Sequence, residues 1–257
     1  MWLIIREYIK YCLISKRRHG VHSPFMYEFG DRCLNTALPA YEFMVFQKMR
    51  KDLLANKKLI EVNDLGAGSK KLKSQRKIQQ IAKTSGSPKK YAKLLFKLSA
   101  FYQPKNILEL GTSLGLGTYM LAAAQEDVDV YTVEGCTKTY DFTRRNFPSS
   151  QHHKVHFINA AFNDYLKQLQ KDLVFDLVFI DGDHSSKQLF TQLELLSEHI
   201  HDETIIVLDD IRWSKDMFEG WNQLINDTSY RLSIDLFKIG ILMKRSHQAK
   251  EHFVIRY

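Results

Sequence analysis

From residue 106 onward, apolar residues come in short runs separated by helical stretches, and this alternation repeats five times. NILEL (106–110), DVYTVEG (129–135), KVHFINA (154–160), FDLVFID (175–181) and ETIIVLDD (203–210) each read as a strand rich in β-branched and aromatic residues. Between and after them, TYMLAAAQ, KTYDFTRRNF and residues 163–171, 186–200 and 214–226 carry helical spacing. The end breaks this rhythm. YRLSIDLF (230–237) and GILMKRS (240–246) stand only a couple of residues apart. A parallel crossover needs a dozen residues or more, so this pair must be an antiparallel hairpin. The pattern therefore predicts an α/β fold with a mostly parallel, seven-stranded sheet, helices on both faces and a C-terminal antiparallel hairpin.

The first hundred residues follow a different pattern. Residues 3–16 (LIIREYIKYCLISK) are amphipathic with helical spacing, and RRHGVHSPF interrupts them with Gly20 and Pro24. Residues 25–58 read as helical, residues 70–83 as a strongly basic helical stretch ended by SGSP (85–88), and KKYAKLLFKLSAFY (89–102) as a helix stopped by Pro104. Charge divides at the same place. Residues 1–105 hold 22 Lys and Arg against 7 Asp and Glu, whereas residues 106–257 hold 15 against 22. Two regions follow: 1–104, basic and mainly helical, with a cap, substrate or dimer role, and 105–257, the α/β domain.

Composition narrows the setting. The chain has 257 residues, 44% apolar and 26% charged, which is ordinary for a globular protein. No window approaches 18 consecutive apolar residues, and MWLIIREYIK carries charges where a signal peptide would be apolar. Cys12, Cys33 and Cys136 are odd in number and far apart, which points to reduced thiols and a cytoplasmic location. Residues 1–18, with Trp2 beside Arg6, Lys10, Lys16, Arg17 and Arg18, suit either a peripheral membrane contact or a homodimer interface.

The most informative segment is ILELGTSLGLGTYMLA (107–122). Gly111, Gly115 and Gly117 let the backbone turn sharply and approach a ligand, at the carboxyl end of a strand where open α/β sheets bind ligands. The spacing is G-x3-G-x-G, not the G-x-G-x-x-G of pyrophosphate-binding loops, and Glu109 suits a cationic ligand. In these residues the chain resembles the class I S-adenosylmethionine-dependent methyltransferases, whose domain is Rossmann-like. The resemblance covers roughly 105–246 and implies S-adenosylmethionine as cofactor. It implies that Glu109 helps hold the methionine ammonium and that Gly111, Thr112, Ser113, Gly115 and Gly117 pass under the ligand. Glu134, followed by Gly135, matches the acid that takes both ribose hydroxyls, because a carboxylate accepts two hydrogen bonds from a diol. Ala161, in INAAFNDYL (158–166), falls where adenine contacts lie. A second glycine turn, VNDLGAGSK (62–70), has two glycines and no acid-ended strand after it, and reads as a structural turn.

The chemistry collects at two strand ends. FIDGDHSS (179–186) and VLDDIRWS (207–214) bring Asp181, Asp209 and Asp210 together beside the cofactor loop, with Asp181 bordering both sites. Clustered carboxylates repel unless protonated or bridged by a cation, and hard oxygen ligands suit Mg2+ or Ca2+. The arrangement is similar to the metal-dependent small-molecule O-methyltransferases of the catechol, caffeoyl-CoA and macrolide-sugar types. That resemblance implies Asp181, Asp209 and Asp210 as Mg2+ ligands, a small-molecule hydroxyl acceptor, and a base at Asp183 or His184, with imidazole the better suited near neutrality. No lysine occupies the base position of the catechol pattern. The plainer readings are helix capping for His184 and for Asp209–Asp210, helix packing for Trp213 and Trp221, and core for the aromatics of 25–46, which could otherwise form a lid. Two other functions compete: a nucleic-acid methyltransferase, and a non-catalytic S-adenosylmethionine-binding protein. Against the first, DGDH stands where an Asn/Asp-Pro-Pro-Tyr/Phe motif would follow strand four. Against the second, the aspartate positions are fully occupied.

Overall fold

The structure, a computed structural model, describes residues 2–16, 23–62, 74–84 and 88–257. The N-terminal part contains α1 (Trp2–Ile14), α2 (Pro24–Glu28) running into a π-helical turn (Phe29–Leu34), and α3 (Ala40–Ala55). Then follow a small antiparallel pair, β1 (Leu59–Val62) and β2 (Ser74–Lys77), and the helices α4 (Ile78–Thr84) and α5 (Lys89–Tyr102). Strand β2 lies where the sequence predicts a helix, and β1 falls between the predicted helix of 25–58 and the glycine turn. Each strand's alternation is short and its partner is twelve residues away, so local spacing carries no trace of the pair. The glycine turn at 62–70 lies, from residue 63, outside the described residues.

The main sheet is built from β3 (Asn106–Leu110), β4 (Asp129–Glu134), β5 (Val155–Asn159), β6 (Phe175–Ile180) and β7 (Ile200–Leu208), followed by β8 (Leu232–Asp235), β9 (Gly240–Met243) and β10 (Glu251–Val254). The spatial order is β10-β8-β9-β7-β6-β3-β4-β5. Strands β3 to β7 pair in parallel, and β9 runs antiparallel to both β7 and β8. The sheet thus has eight strands where the sequence predicts seven. The extra one, β10, is four residues long with only Phe253 and Val254 apolar, and it forms because β8 offers a free edge to pair with. It also ties in the N-terminus: the Lys16 amide donates to the Val254 carbonyl (2.8 Å) and the Tyr11 hydroxyl to the Ile255 carbonyl (2.5 Å).

Both faces of the sheet are covered, as βα crossovers require. The intervening helices are α6 (Leu116–Ala122), α7 (Thr137–Asn146), α8 (Ser149–His152), α9 (Phe162–Leu166), α10 (Ser186–Leu195) and α11 (Lys215–Asn226). Side chains alternate across each strand, so Ile107, Phe179 and Val207 join one apolar cluster while Leu108, Ile180 and Leu208 join the other. The first cluster runs without a break from Phe29 and Phe46 through Leu94 and Leu98 to Ile107 and Leu232, so the two halves of the chain share one core. Phe29 and Phe46 are fully buried, and these aromatics are core; Tyr27 and Tyr41 stay exposed. Among the described residues, no helix is long and apolar enough to cross a membrane. α1 turns Tyr11 inward and leaves Ile5, Ile9 and Leu13 exposed.

One ion pair locks the hairpin to the parallel strands. Arg212, just after β7, donates to both oxygens of Asp235 on β8 (2.9 and 2.6 Å) and to the Phe237 carbonyl (2.6 Å). Both side chains are buried, and the guanidinium lies over the rings of Phe218 and Phe237. Removing one partner of such a pair strands the other charge in the interior. Arg212→Met is therefore predicted to lower stability by ~3–5 kcal/mol in chemical denaturation followed by circular dichroism. A loss below ~1 kcal/mol would show that the pair has little structural weight.

Candidate functional site

The loop after β3 is shaped by contacts that only glycine allows. Gly111 has φ +112°, and a Cβ there would lie 1.9 Å from the Asp181 carbonyl oxygen. The loop is therefore pressed directly against the end of β6. Gly115, at φ +75°, faces Thr143 and Phe147 of the neighbouring α7 region. The Gly111 and Thr112 amides both donate to the Val133 carbonyl, so the loop also leans on β4.

Burial separates the residues that can touch a ligand from those that shape the loop. Thr112, Gly115 and Gly117 are buried; Gly111, Ser113, Glu134, Gly135 and Asp181 are partly exposed; and Ala161 is exposed. Glu134 closes β4 beside the loop, where its carboxylate accepts from the amides of Ser113 (2.9 Å) and Cys136 (2.8 Å). The ring of Phe162 packs over Gly182, where a Cβ would meet it at 2.7 Å.

Glu109 departs from the role that the sequence suggests. It alternates onto the same face as Ile107, beneath α6, and is 1% exposed. Its carboxylate accepts from the hydroxyls of Thr118 (2.5 Å) and Thr132 (2.6 Å), and Thr132 bonds Thr112 (2.6 Å). The group holds α6, β4 and the loop together from below. Burial pushes its carboxyl up to about 7, against the two hydroxyl donors.

The strand ends of β6 and β7 bring Asp181, Asp209 and Asp210 together. Burial and then the Asp209 carboxylate push Asp181 well above the ordinary range, and the same two causes raise Asp210. Asp209 is 8% exposed and accepts the Asp210 amide on Oδ1 (2.8 Å). The sequence reading did not include Lys238. It lies in the β8–β9 turn, and its Nζ donates to Asp209 Oδ2 (2.9 Å) and lies 3.4 Å from Asp210 Oδ1. Burial works against its charge, but Asp209 and Asp210 outweigh it and raise the ammonium pKa. Its signal in the sequence is indirect: Leu208 pairs with Gly240, and the same antiparallel register carries Lys238 back toward Asp209 and Asp210.

A resident Mg2+ does not fit this set. Both Asp209 oxygens already have donors, an ammonium stands between two of the three carboxylates, and a divalent ion needs several oxygens converging at ~2.1 Å. Among the described residues, no group of three His, Cys, Asp or Glu side chains is arranged to hold a metal.

His184 stands at the rim, its Nε2 3.8 Å from Asp210 Oδ2 and its ring 5.7 Å from that of Trp213. The capping alternatives fall to neighbours: Ser185 caps α10 and Ser214 caps α11. Trp221 is fully buried core, whereas Trp213 is 63% exposed beside His184. Ser113, Asp183 and Asp210 all have positive φ (47°, 52° and 53°), so backbone strain gathers at this end of the sheet.

Residues 108–211, from β3 to just past Asp210, match the family described as a methyltransferase domain. The chain is similar to that family over this segment. Solved structures agree with the fold. The S-adenosylhomocysteine-bound Podospora anserina methyltransferase PaMTH1 superposes with a TM-score of 0.59 at 16% identity, over 88% of this chain and 99% of that one. The Bacillus cereus O-methyltransferase in complex with S-adenosylhomocysteine gives 0.55 at 19%, over 85% and 96%. The Streptomyces achromogenes O-methyltransferase TomG, in complex with S-adenosylmethionine, gives 0.51 at 17%, over 62% and 81%. These likenesses agree with the Rossmann-like α/β fold.

Two variants probe this framework. Gly111→Ala places a Cβ against backbone at a left-handed φ, and is predicted to cost at least ~2 kcal/mol in thermal or chemical unfolding. Glu109→Gln tests the buried acid. Its folded pKa of about 7 lies above the ordinary 4.5, so the folded state keeps the proton longer. The stability this brings is complete below pH 4.5 and is lost as pH rises to 7, by ~3 kcal/mol. The glutamine variant should lose correspondingly less between pH 5 and 8 in urea titrations, and parallel curves would refute a raised Glu109.

Proposed function

We propose that this protein transfers a methyl group from S-adenosylmethionine to a hydroxyl oxygen of a small molecule. The observation that carries this reading is the meeting of the glycine loop with a carboxylate–histidine cluster: Gly111 backs onto Asp181, and Asp181 belongs to the group that includes Asp209, Asp210 and His184. Three neighbours whose structures are named as bound to S-adenosylmethionine or S-adenosylhomocysteine, two of them O-methyltransferases, support the cofactor and the acceptor atom.

In this reading the Glu134 carboxylate takes the ribose diol, with Ser113 and Gly135 beside it. The exposed backbone at Ala161, next to Phe162, borders the adenine. Glu109 acts from beneath, fixing the loop through Thr118 and Thr132. S-adenosylmethionine supplies an electrophilic methyl group, and its transfer to the acceptor oxygen breaks the carbon–sulfur bond and leaves S-adenosylhomocysteine. His184 receives the hydroxyl proton, and Asp210, 3.8 Å away, steadies the imidazolium. Asp183, in the same loop, orders the turn that presents the imidazole. Trp213, exposed beside His184, offers an apolar wall for the acceptor.

Calorimetric titration with S-adenosylhomocysteine tests the cofactor assignment. Stoichiometric binding is expected, and Glu134→Ala, which loses charge-assisted hydrogen bonds, should weaken it by ~10- to 100-fold. No binding by the unaltered protein would overturn the proposal. With tritiated methyl donor and a panel of phenolic and sugar hydroxyls, His184→Ala should lower turnover by ~10²- to 10⁴-fold while leaving S-adenosylhomocysteine affinity unchanged.

A further inference from the structure

The carboxylates after β6 and β7 cannot stand together unbalanced. Asp209 is nearly buried, Asp210 has left-handed backbone, and Asp181 adjoins both. Close to them stands the ammonium of Lys238, with its side chain 26% exposed. Its position is set by backbone, not by the reach of a loose side chain. The Ile211 amide donates to the Lys238 carbonyl (3.1 Å), the Lys238 amide donates to Leu236, and Phe237 turns the chain at φ +75°. The Arg212 guanidinium clamps the same turn through Asp235 and the Phe237 carbonyl. The ring of Tyr91, from α5, lies 5.4 Å from Nζ and closes another side.

We propose that the Lys238 ammonium is the resident cation of this site, standing where a divalent metal would otherwise bridge Asp209 and Asp210 and holding these carboxylates in place without one. The proposal rests on reading this cluster as the reaction site. An ammonium has three N–H donors, of which one goes to Asp209 and a second is in reach of Asp210. The third donor is available to an acceptor oxygen at the exposed edge of the side chain. Lys238 is thus a positioning residue for the aspartates and a candidate anchor for the acceptor. A divalent ion added beside it would face the ammonium at short range and would find both Asp209 oxygens already bonded.

Binding of Mn2+ alone, followed by electron paramagnetic resonance of the free ion, tests this without any acceptor. The unaltered protein should bind no stoichiometric Mn2+ at ~1 mM, the weak end of the range for carboxylate sites. Lys238→Met should open the carboxylates and bind one Mn2+ at least ~10-fold more tightly, and adding Asp209→Asn should abolish that site. Lys238→Arg should behave as the unaltered protein. Stoichiometric Mn2+ binding by the unaltered protein, lost in Asp209→Asn, would overturn the proposal. So would a Lys238→Met protein that keeps S-adenosylhomocysteine binding yet takes up no Mn2+. If Lys238→Met does not fold, the unaltered protein and Lys238→Arg still decide the question. Failure of S-adenosylhomocysteine binding in the unaltered protein would instead strike the methyltransferase reading, leaving the cation assignment to the Mn2+ result.

Discussion

The carboxyl end of the sheet is organised around a mutual repulsion of carboxylates. Parallel strands β6 and β7 deliver Asp181, Asp209 and Asp210 side by side, at a partly desolvated edge where like charges interact strongly. The structure relieves this with a cation from a distant part of the chain. Lys238 reaches the cluster because β9 returns antiparallel along β7, and the Arg212–Asp235 pair keeps that return in register.

The glycine loop is tied to the same cluster through backbone. Gly111 sits against the Asp181 carbonyl so tightly that no side chain fits between them. The glycine loop and Asp181 are thus one mechanical unit. Glu109, Thr118 and Thr132 brace that unit from inside, and Glu134 braces it from the open side through the Ser113 amide. Shape at the cofactor loop and charge at the strand ends are therefore not independent, and a change at Gly111 reaches Asp181 directly.

The N-terminal region belongs to the same core. Phe29, Phe46, Leu94 and Leu98 pack in one cluster with β3 and β8, and α5 brings Tyr91 to within reach of Lys238. The basic character that sets residues 1–105 apart by composition therefore does not mark a separate hydrophobic core. Buried positions such as Phe46, Leu94 and Leu98 join the shared core, while α1 leaves Ile5, Ile9 and Leu13 exposed. Lys89 is exposed, and Lys93 lies over the Phe43 ring.

The sequence by itself determined the α/β alternation, the terminal hairpin, the glycine loop and the collection of Asp181, Asp209, Asp210 and His184 at one edge. These are local facts: strand and helix periods repeat within a few residues, and parallel strands always present their carboxyl ends on the same side. Three things were decided only by tertiary structure. β10 exists because β8 has an edge to offer, not because EHFVIRY is a strong strand. Glu109 turned out to be internal because the face it alternates onto is covered by α6, which spacing along β3 does not reveal. Lys238 became the counter-ion of Asp209 across 29 residues, because charge pairing depends on distance in space and a lone lysine in a turn carries no period that a sequence reading can detect.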